Sequence, residues 1–422
     1  MTFLLSIRAK KVKEAVLHYL WQQQTFNREA LQTTSGQSIT VQSVGLLNTN
    51  AGPDFAMARL QIGELDWSGS VEIHVKASDW QRHGHQHDPA YDRVILHVVW
   101  ENDQDVFRAD DTLVPTMELK SRVSSAVISQ ICSLLERDQT FIPCEHLVHH
   151  VPEIIKMAQV ERVAIQRLER RANEVLKTLE HQQGDWSGTV YQWLLKGFGF
   201  KINQEGMQQL AQAFPLRWVR KYAHHTPSLT YALLHQAGLS KYADSQPSII
   251  IPTEMSDRQI NPSVWKYSRT RPTNFPHVRI QQLAYLLHQW NADITWLLRI
   301  HPIAFYRNQF NLKNTSSVTP IGIGSIDTLI INTVATLLTA HGLFHHNDSY
   351  HQHAWQCLRE LKAENNTVTR KYVALGFPNE SALDTQGMLE LNQTYCSKKQ
   401  CLSCGIGVAV LKKEPLFVSS SS

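Results

Sequence analysis

No stretch of the 422-residue chain reaches the roughly 20 consecutive apolar residues that crossing a bilayer takes, so a membrane protein is not expected. The start, "MTFLLSIRAKKVKEAVLHYL", carries its basic residues after a short apolar run and has no small-residue cleavage site. It therefore does not read as a secretory signal, and a cytoplasmic location is expected. Excess charge of either sign is also missing. Lys and Arg number 41 against 37 Asp and Glu, a formal net charge of +4, which permits an acidic partner such as DNA or RNA without requiring one. Cysteine is scarce, at six residues. In a reducing compartment any close group of them points to a metal before a disulfide. No internal repeat or low-complexity linker divides the chain, and the closing "SSSS" reads as a disordered tail.

Hydrophobic residues make up 42% of the chain and charged residues 18%, enough for a sizeable core, and the length favours two or three domains. Residues 11–24, "KVKEAVLHYLWQQQ", have a helical period. Between about 38 and 120 the texture changes. "SITVQSVG", "AMARLQIG", "GSVEIHVK", "RVILHVVW" and "TLVPTMELK" are short, β-rich and separated by Gly, Asp, Asn or Pro. From Pro152 onward long amphipathic segments dominate, beginning with "EIIKMAQVERVAIQRLERRANEVLKTLEHQ". The expected class is α/β plus all-α. Residues 1–140 would hold a mixed sheet with flanking helices, 141–394 a helical domain, and 395–422 a cysteine-containing segment and tail.

In "GSVEIHVKASDW", residues 69–80, Val71, Ile73 and Val75 alternate with Ser70, Glu72, His74 and Lys76. An ordinary half-buried strand would carry the second set as a solvated face. Upstream, "NAGPDFAMARLQIGELDWSG" places Asp54 at the opening of the preceding strand. Gly-Pro-Asp alone is ordinary turn chemistry, but antiparallel pairing would set Asp54 beside the middle of the next strand. Two carboxylates so held suit Mg²⁺, and a neighbouring His or Lys suits the orientation or deprotonation of water.

This arrangement resembles the PD-(D/E)xK nuclease superfamily, in which an Asp, often after Pro, opens one strand and Asp/Glu-x-Lys follows on the next. Pro53-Asp54 and Glu72-Ile73-His74 fit, except that His74 stands where Lys is usual, with Lys76 as the substitute one pleat on. Glu14 is the candidate for the superfamily's frequent helical Glu. The resemblance implies a restriction-endonuclease-like N-terminal domain and Mg²⁺-dependent hydrolysis of nucleic-acid phosphodiesters. Asp54 and Glu72 would be metal ligands, and His74 or Lys76 would position water or stabilise charge. The missing Lys keeps open a non-catalytic nucleic-acid-binding or assembly protein.

The following "QRHGHQHDPAYDRVILHVVW" crowds His83, His85, His87 and Asp88 into a loop, where the histidines are expected to contact substrate. H-x-H-x-H-D is similar to the H-x-H-x-D-H zinc motif of metallo-β-lactamase-type hydrolases with its last two residues reversed, and neutral imidazoles suit zinc. His97, inside a β-rich run, reads as a core or sheet-face histidine. Over nearly the whole length, "NTNAGPDFAMARLQIG", "RPTNFPHVRIQQLAYL", "SIDTLIINTV", "LKAENN" and "YCSKKQCLSCGIG" resemble a bacterial family known as domain of unknown function 2851. That resemblance implies no activity.

"YCSKKQCLSCGIG" spaces Cys396, Cys401 and Cys404 as C-x4-C-x2-C, a pattern able to clasp zinc or an iron–sulfur cluster. A fourth ligand is needed, and Cys144 in "FIPCEH" is the best remote candidate, ahead of Cys357 or a histidine. Packed, reduced thiols are the plain alternative. Finally, "WKYSRTRPTNFPHVRI" sets Arg269, Arg271 and Arg279 among aromatics, suited to phosphate and base contacts or to ion pairs with the carboxylates of "GSIDT" and "LKAEN". Arg162, Arg167, Arg170 and Arg171 alternate with acids along the long helix and are expected on a solvated face.

Overall fold

A computed structural model describes residues 12–136, 140–247, 257–268, 270–312 and 318–413. The chain forms two compact units, one from residues 1–156 with 392–422 and the other from 157–391. The C-terminal segment thus belongs with the N-terminal part of the chain, a long-range return that local sequence pattern does not carry.

The first unit is built on a six-stranded mixed sheet: β1 (Ile39–Ser43), β2 (Leu46–Leu47), β3 (Phe55–Ile62), β4 (Leu65–Lys76), β5 (Val94–Glu101) and β6 (Thr116–Glu118). The order is β1-β3-β4-β5-β6, with β2 also on β3. The β1/β3 and β3/β4 pairs are antiparallel, whereas β4/β5 and β5/β6 are parallel. Residues 77–93, including the short helix α2 (Asp79–Arg82), make the crossover that a parallel pair needs. Helix α1 (Glu14–Gln23) buries Val16, Leu17, Tyr19, Leu20 and Trp21, packs on β4 and stops at Gln24, whose φ is 51°.

Strand β4 changes character along its length. Leu65 and Trp67 are exposed, whereas Val71 to His74 are buried without alternation. Both faces of that half are covered, as in a central strand of a parallel sheet. The approach of β5 is close at its start. A Cβ on Gly69 would lie 2.5 Å from Ile95 Cγ2 and 2.6 Å from the Arg93 carbonyl oxygen, which accepts the Ser70 N–H at 2.9 Å. Gly69→Val is expected to destabilise the protein by about 1–3 kcal/mol through overpacking. Urea denaturation checks this, and an unchanged midpoint would contradict it.

The second unit is helical. Its core gathers Leu194, Leu233, Leu283 and Leu337 with Tyr191, Trp193, Phe198 and Tyr306. Among the described residues one helical stretch, Ile323–Phe344, is long and apolar enough to cross a membrane by length and composition, although Asp327 and Asn332 interrupt it in sequence. It is 67% buried over its apolar window, which fits a core helix. Of the arginines expected on a solvated face, Arg162 is exposed, whereas Arg167, Arg170 and Arg171 find partners within the second unit. Arg167 and Arg170 reach Glu390 at 3.0 and 2.8 Å, and Arg171 donates to the Asn332 side chain and carbonyl. Arg162 donates to Gln159.

Candidate functional site

Helix α1 packs against β4, and β3 pairs with β4 so that Phe55 lies opposite Val71. That register sets Asp54 beside Glu72. The Asp54 N–H donates to Glu72 Oε2 at 3.0 Å, and the Ile73 N–H donates to Asp54 Oδ2 at 3.0 Å. From α1, His18 Nε2 lies 3.2 Å from Asp54 Oδ2. Glu14, one turn earlier on the same helix, is near enough for the Asp54 carboxylate to act on it: burial, then Asp54, raises its carboxyl above the ordinary range. Three carboxylates from three elements therefore share one neighbourhood.

Imidazoles complete it. Glu72 Oε1 lies 3.4 Å from His74 Nε2 and 3.3 Å from His85 Nε2, and His83 Nδ1 lies 3.2 Å from His74 Nε2. One ligand atom each from His74, His83 and His85 falls within 4.8 Å of the other two, the one such trio among the described residues. This trio is able to hold a metal ion. The crossover supplies two of its members: His83 follows α2, and His85 opens the next turn. Tyr91 stacks on His85 at 3.7 Å, and Trp80 meets it edge-on. Behind them, His74 Nδ1 lies 2.8 Å from His97 Nε2. If His74 Nδ1–H is the donor there, Nε2 presents a lone pair toward Glu72, His83 and His85, the arrangement in which a second ring orients a metal-binding one.

Glu72 and His74 are 5% and 2% exposed, so this strand face is not solvated. Burial first, then Asp54 and Glu14, pushes the Glu72 carboxyl up to about 9, against the Asp54 N–H that holds it down. Burial first, then the surrounding histidines, pushes His74 down to about 2, and burial with His85 lowers His97 to about 3. The donor set is therefore neutral rings around a carboxyl group crowded by other carboxylates. A divalent cation suits the neutral rings as they stand and would bind Glu72 by displacing its proton, since it needs neutral imidazole and ionised carboxylate. Two further observations fit. His18 Nε2 and His85 Nε2 are buried and, despite the nearby carboxylate oxygens, make no well-aligned hydrogen bond.

These shifts fix a pH dependence. Glu72 keeps its proton to about 9 in the fold and ionises near 4.5 otherwise. Its contribution to stability is fully present below 4.5 and is lost as pH rises toward 9. His74, lowered from 6.5 to about 2, contributes oppositely, its share being lost as pH falls below 6.5. Melting temperature of the metal-free protein is expected to fall from pH 6.5 to 9, and to fall less in Glu72→Gln. Parallel curves for the two proteins would contradict the assignment.

Other residues expected at the site lie elsewhere. Lys76 ends β4 with its main-chain N–H on Asp79 and its Nζ 3.8 Å from Asp103 Oδ2, half exposed. It does not take the place of the usual Lys, because the strand stops there and Asp103 draws the ammonium outward. His87 is exposed and outside the trio, so the H-x-H-x-H-D run does not act as one motif. Arg279 is buried in the second unit, bonded to Asn274, Gln282 and Ser325 and lying over the Phe200 ring. Its guanidinium is thus a packing element. Arg271 is exposed at the rim of a cavity of about 350 Å³ that Arg279 also lines, and Arg269 lies outside the described residues. Asp327 pairs with Arg307 at 2.8 Å, and Glu364 accepts from Gln386, so neither serves the basic segment. His18 was not legible as a site residue. Its signal was the four-residue spacing from Glu14, which puts both on one helix face.

The family model for a protein of unknown function (DUF2851) matches residues 14–367. This span holds every residue of the carboxylate–imidazole site and stops short of Cys396. Neither the curated proteins nor the solved structures include a match.

Proposed function

The chain belongs to the DUF2851 family, and on that footing we propose that it is a divalent-metal-dependent hydrolase of nucleic-acid phosphodiester bonds. The convergence of Glu14, Asp54 and Glu72 with His74 and His85 carries the reading. The order of elements supports it too: a helix bearing a Glu, a strand opened by Asp54, an antiparallel strand bearing Glu72, then a crossover to a parallel strand. This is the pattern that the resemblance to PD-(D/E)xK nucleases leads one to expect. Asp54, Glu72 and His74 would hold the ion, with His83, His85 and Glu14 beside them. Imidazole in the donor set shifts the preference from Mg²⁺ toward Mn²⁺ or Zn²⁺.

A bound divalent ion would polarise a phosphoryl oxygen and acidify water. The chain's own residues do the rest. His97 fixes the His74 ring, Trp80 and Tyr91 hold His85, and exposed Arg82 and His87 would meet phosphate at the crossover. Purified protein incubated with single- and double-stranded DNA and RNA is expected to cut at least one of them with Mn²⁺, Mg²⁺ or Zn²⁺, and to stop on chelation. Metal-dependent binding with no product from any substrate would favour the non-catalytic reading instead.

A further inference from the structure

We propose that Cys144, Cys396, Cys401 and Cys404 form a four-thiolate centre for a soft metal, zinc or an iron–sulfur cluster, that clamps the two chain segments of the first unit together. The sequence alone offered three ligands and a guess at the fourth. The structure brings the segment of Cys144 to that of the others: the helix that begins just after Cys404 packs both on the Cys401–Ser403 turn and on the Val148–His150 turn that follows Cys144. Cys144, Cys401 and Cys404 are each 6% exposed. The six cysteines are all free of disulfides.

The backbone explains the gathering. Cys144 sits in a turn whose carbonyl accepts the N–H groups of Leu147 and Val148, leading into the short helical turn Val148–His150. The C-terminal helix Gly405–Lys413 packs against that turn. Cys401–Ser403 form another short turn just before this helix, and Gly407 lets the helix cross it, since a Cβ there would collide with the Cys401 carbonyl. The Val408 N–H donates to the Cys404 carbonyl at 2.9 Å. As they stand, no three of these thiols lie within 4.8 Å of one another. Loading would draw them in and displace their protons.

The clamp has a consequence for the carboxylate site. Helix α1 also packs against the Cys401–Ser403 turn, so the same helix that presents Glu14 and His18 leans on the cysteine segment. A centre here would prop that helix from a part of the chain beyond the DUF2851 match.

The test is metal and thiol analysis of the full chain. Protein isolated without oxygen, or reconstituted with Zn²⁺ or with iron and sulfide, is expected to carry one centre and to shield four thiols from alkylation. Cobalt substitution reads ligation directly, through intense thiolate-to-metal absorption that the histidine trio cannot give. Cys144→Ser and Cys401→Ser should lose the centre, and Cys132→Ser should keep it. A zinc centre is colourless and yields to chelators, whereas a cluster absorbs in the visible and bleaches on oxidation; either bears the proposal out. If a serine variant does not fold, the wild-type thiol count and cobalt spectrum decide alone. Reactive thiols with no cobalt–thiolate band after reconstitution, or a folded Cys144→Ser that keeps the same band, would overturn it.

Discussion

Asp54→Ala is expected to lower metal-dependent phosphodiester cleavage on the order of 10³-fold. A metal ligand is worth several kcal/mol of transition-state stabilisation, and about 1.4 kcal/mol corresponds to tenfold in rate. The loss should appear mainly in kcat. Asp54 also ties β3 to β4 by accepting the Ile73 N–H, so a part of any effect is structural, and Asp54→Asn separates the two. The amide keeps an oxygen that accepts the N–H but is a weak cation ligand. It should melt close to wild type and still lose activity. Lys76→Ala is the contrasting variant: its ammonium lies by Asp103, and activity should be essentially unchanged. A large loss in Lys76→Ala with none in Asp54→Asn would place the chemistry elsewhere.

The second large effect is on folding. Glu390 has a side chain only 2% exposed and faces both Arg167 and Arg170. Burial disfavours its charge, yet hydrogen bonds from the two guanidinium groups hold its carboxyl below the ordinary range. Glu390→Ala removes one partner and leaves two cations side by side. The cost of breaking a buried pair is about 3–5 kcal/mol, and the partial exposure of Arg170 argues for the lower end. Thermal or urea denaturation should show it, with Glu390→Gln losing less because it still accepts hydrogen bonds. Equal midpoints for wild type and Glu390→Ala would mean that the arginines are solvated after all.

Much of the site could be read because two periods coincide. Alternation along residues 69–76 put Glu72 and His74 together, and antiparallel pairing made Asp54 their neighbour; both follow from local pattern. The same period misplaced Lys76, because alternation says nothing of where a strand ends or what charge waits beyond it. His83 and His85 were visible as a cluster, but the path of the crossover decides whether they fold back over His74 and Glu72, and for His85 that depends on packing against Trp80 and Tyr91. The long helix misled for a related reason. Arg167, Arg170 and Arg171 look like a solvated charge pattern until Glu390 and Asn332, more than 150 residues away, meet them. The mixed sheet and the helical second unit match the expected classes, while the return of residues 392–422 to the first unit rests on contacts that no local window contains.

Calorimetric titration of Mn²⁺ into metal-free protein near neutral pH tests the central assignment most directly. Wild type is expected to bind one ion at the carboxylate–imidazole site with release of the Glu72 proton, seen as a binding heat that varies with the ionisation enthalpy of the buffer. Glu72→Gln should lose both the binding and that buffer dependence while keeping its fold. Binding that is absent from folded wild type, or that persists unchanged in Glu72→Gln, would contradict the account.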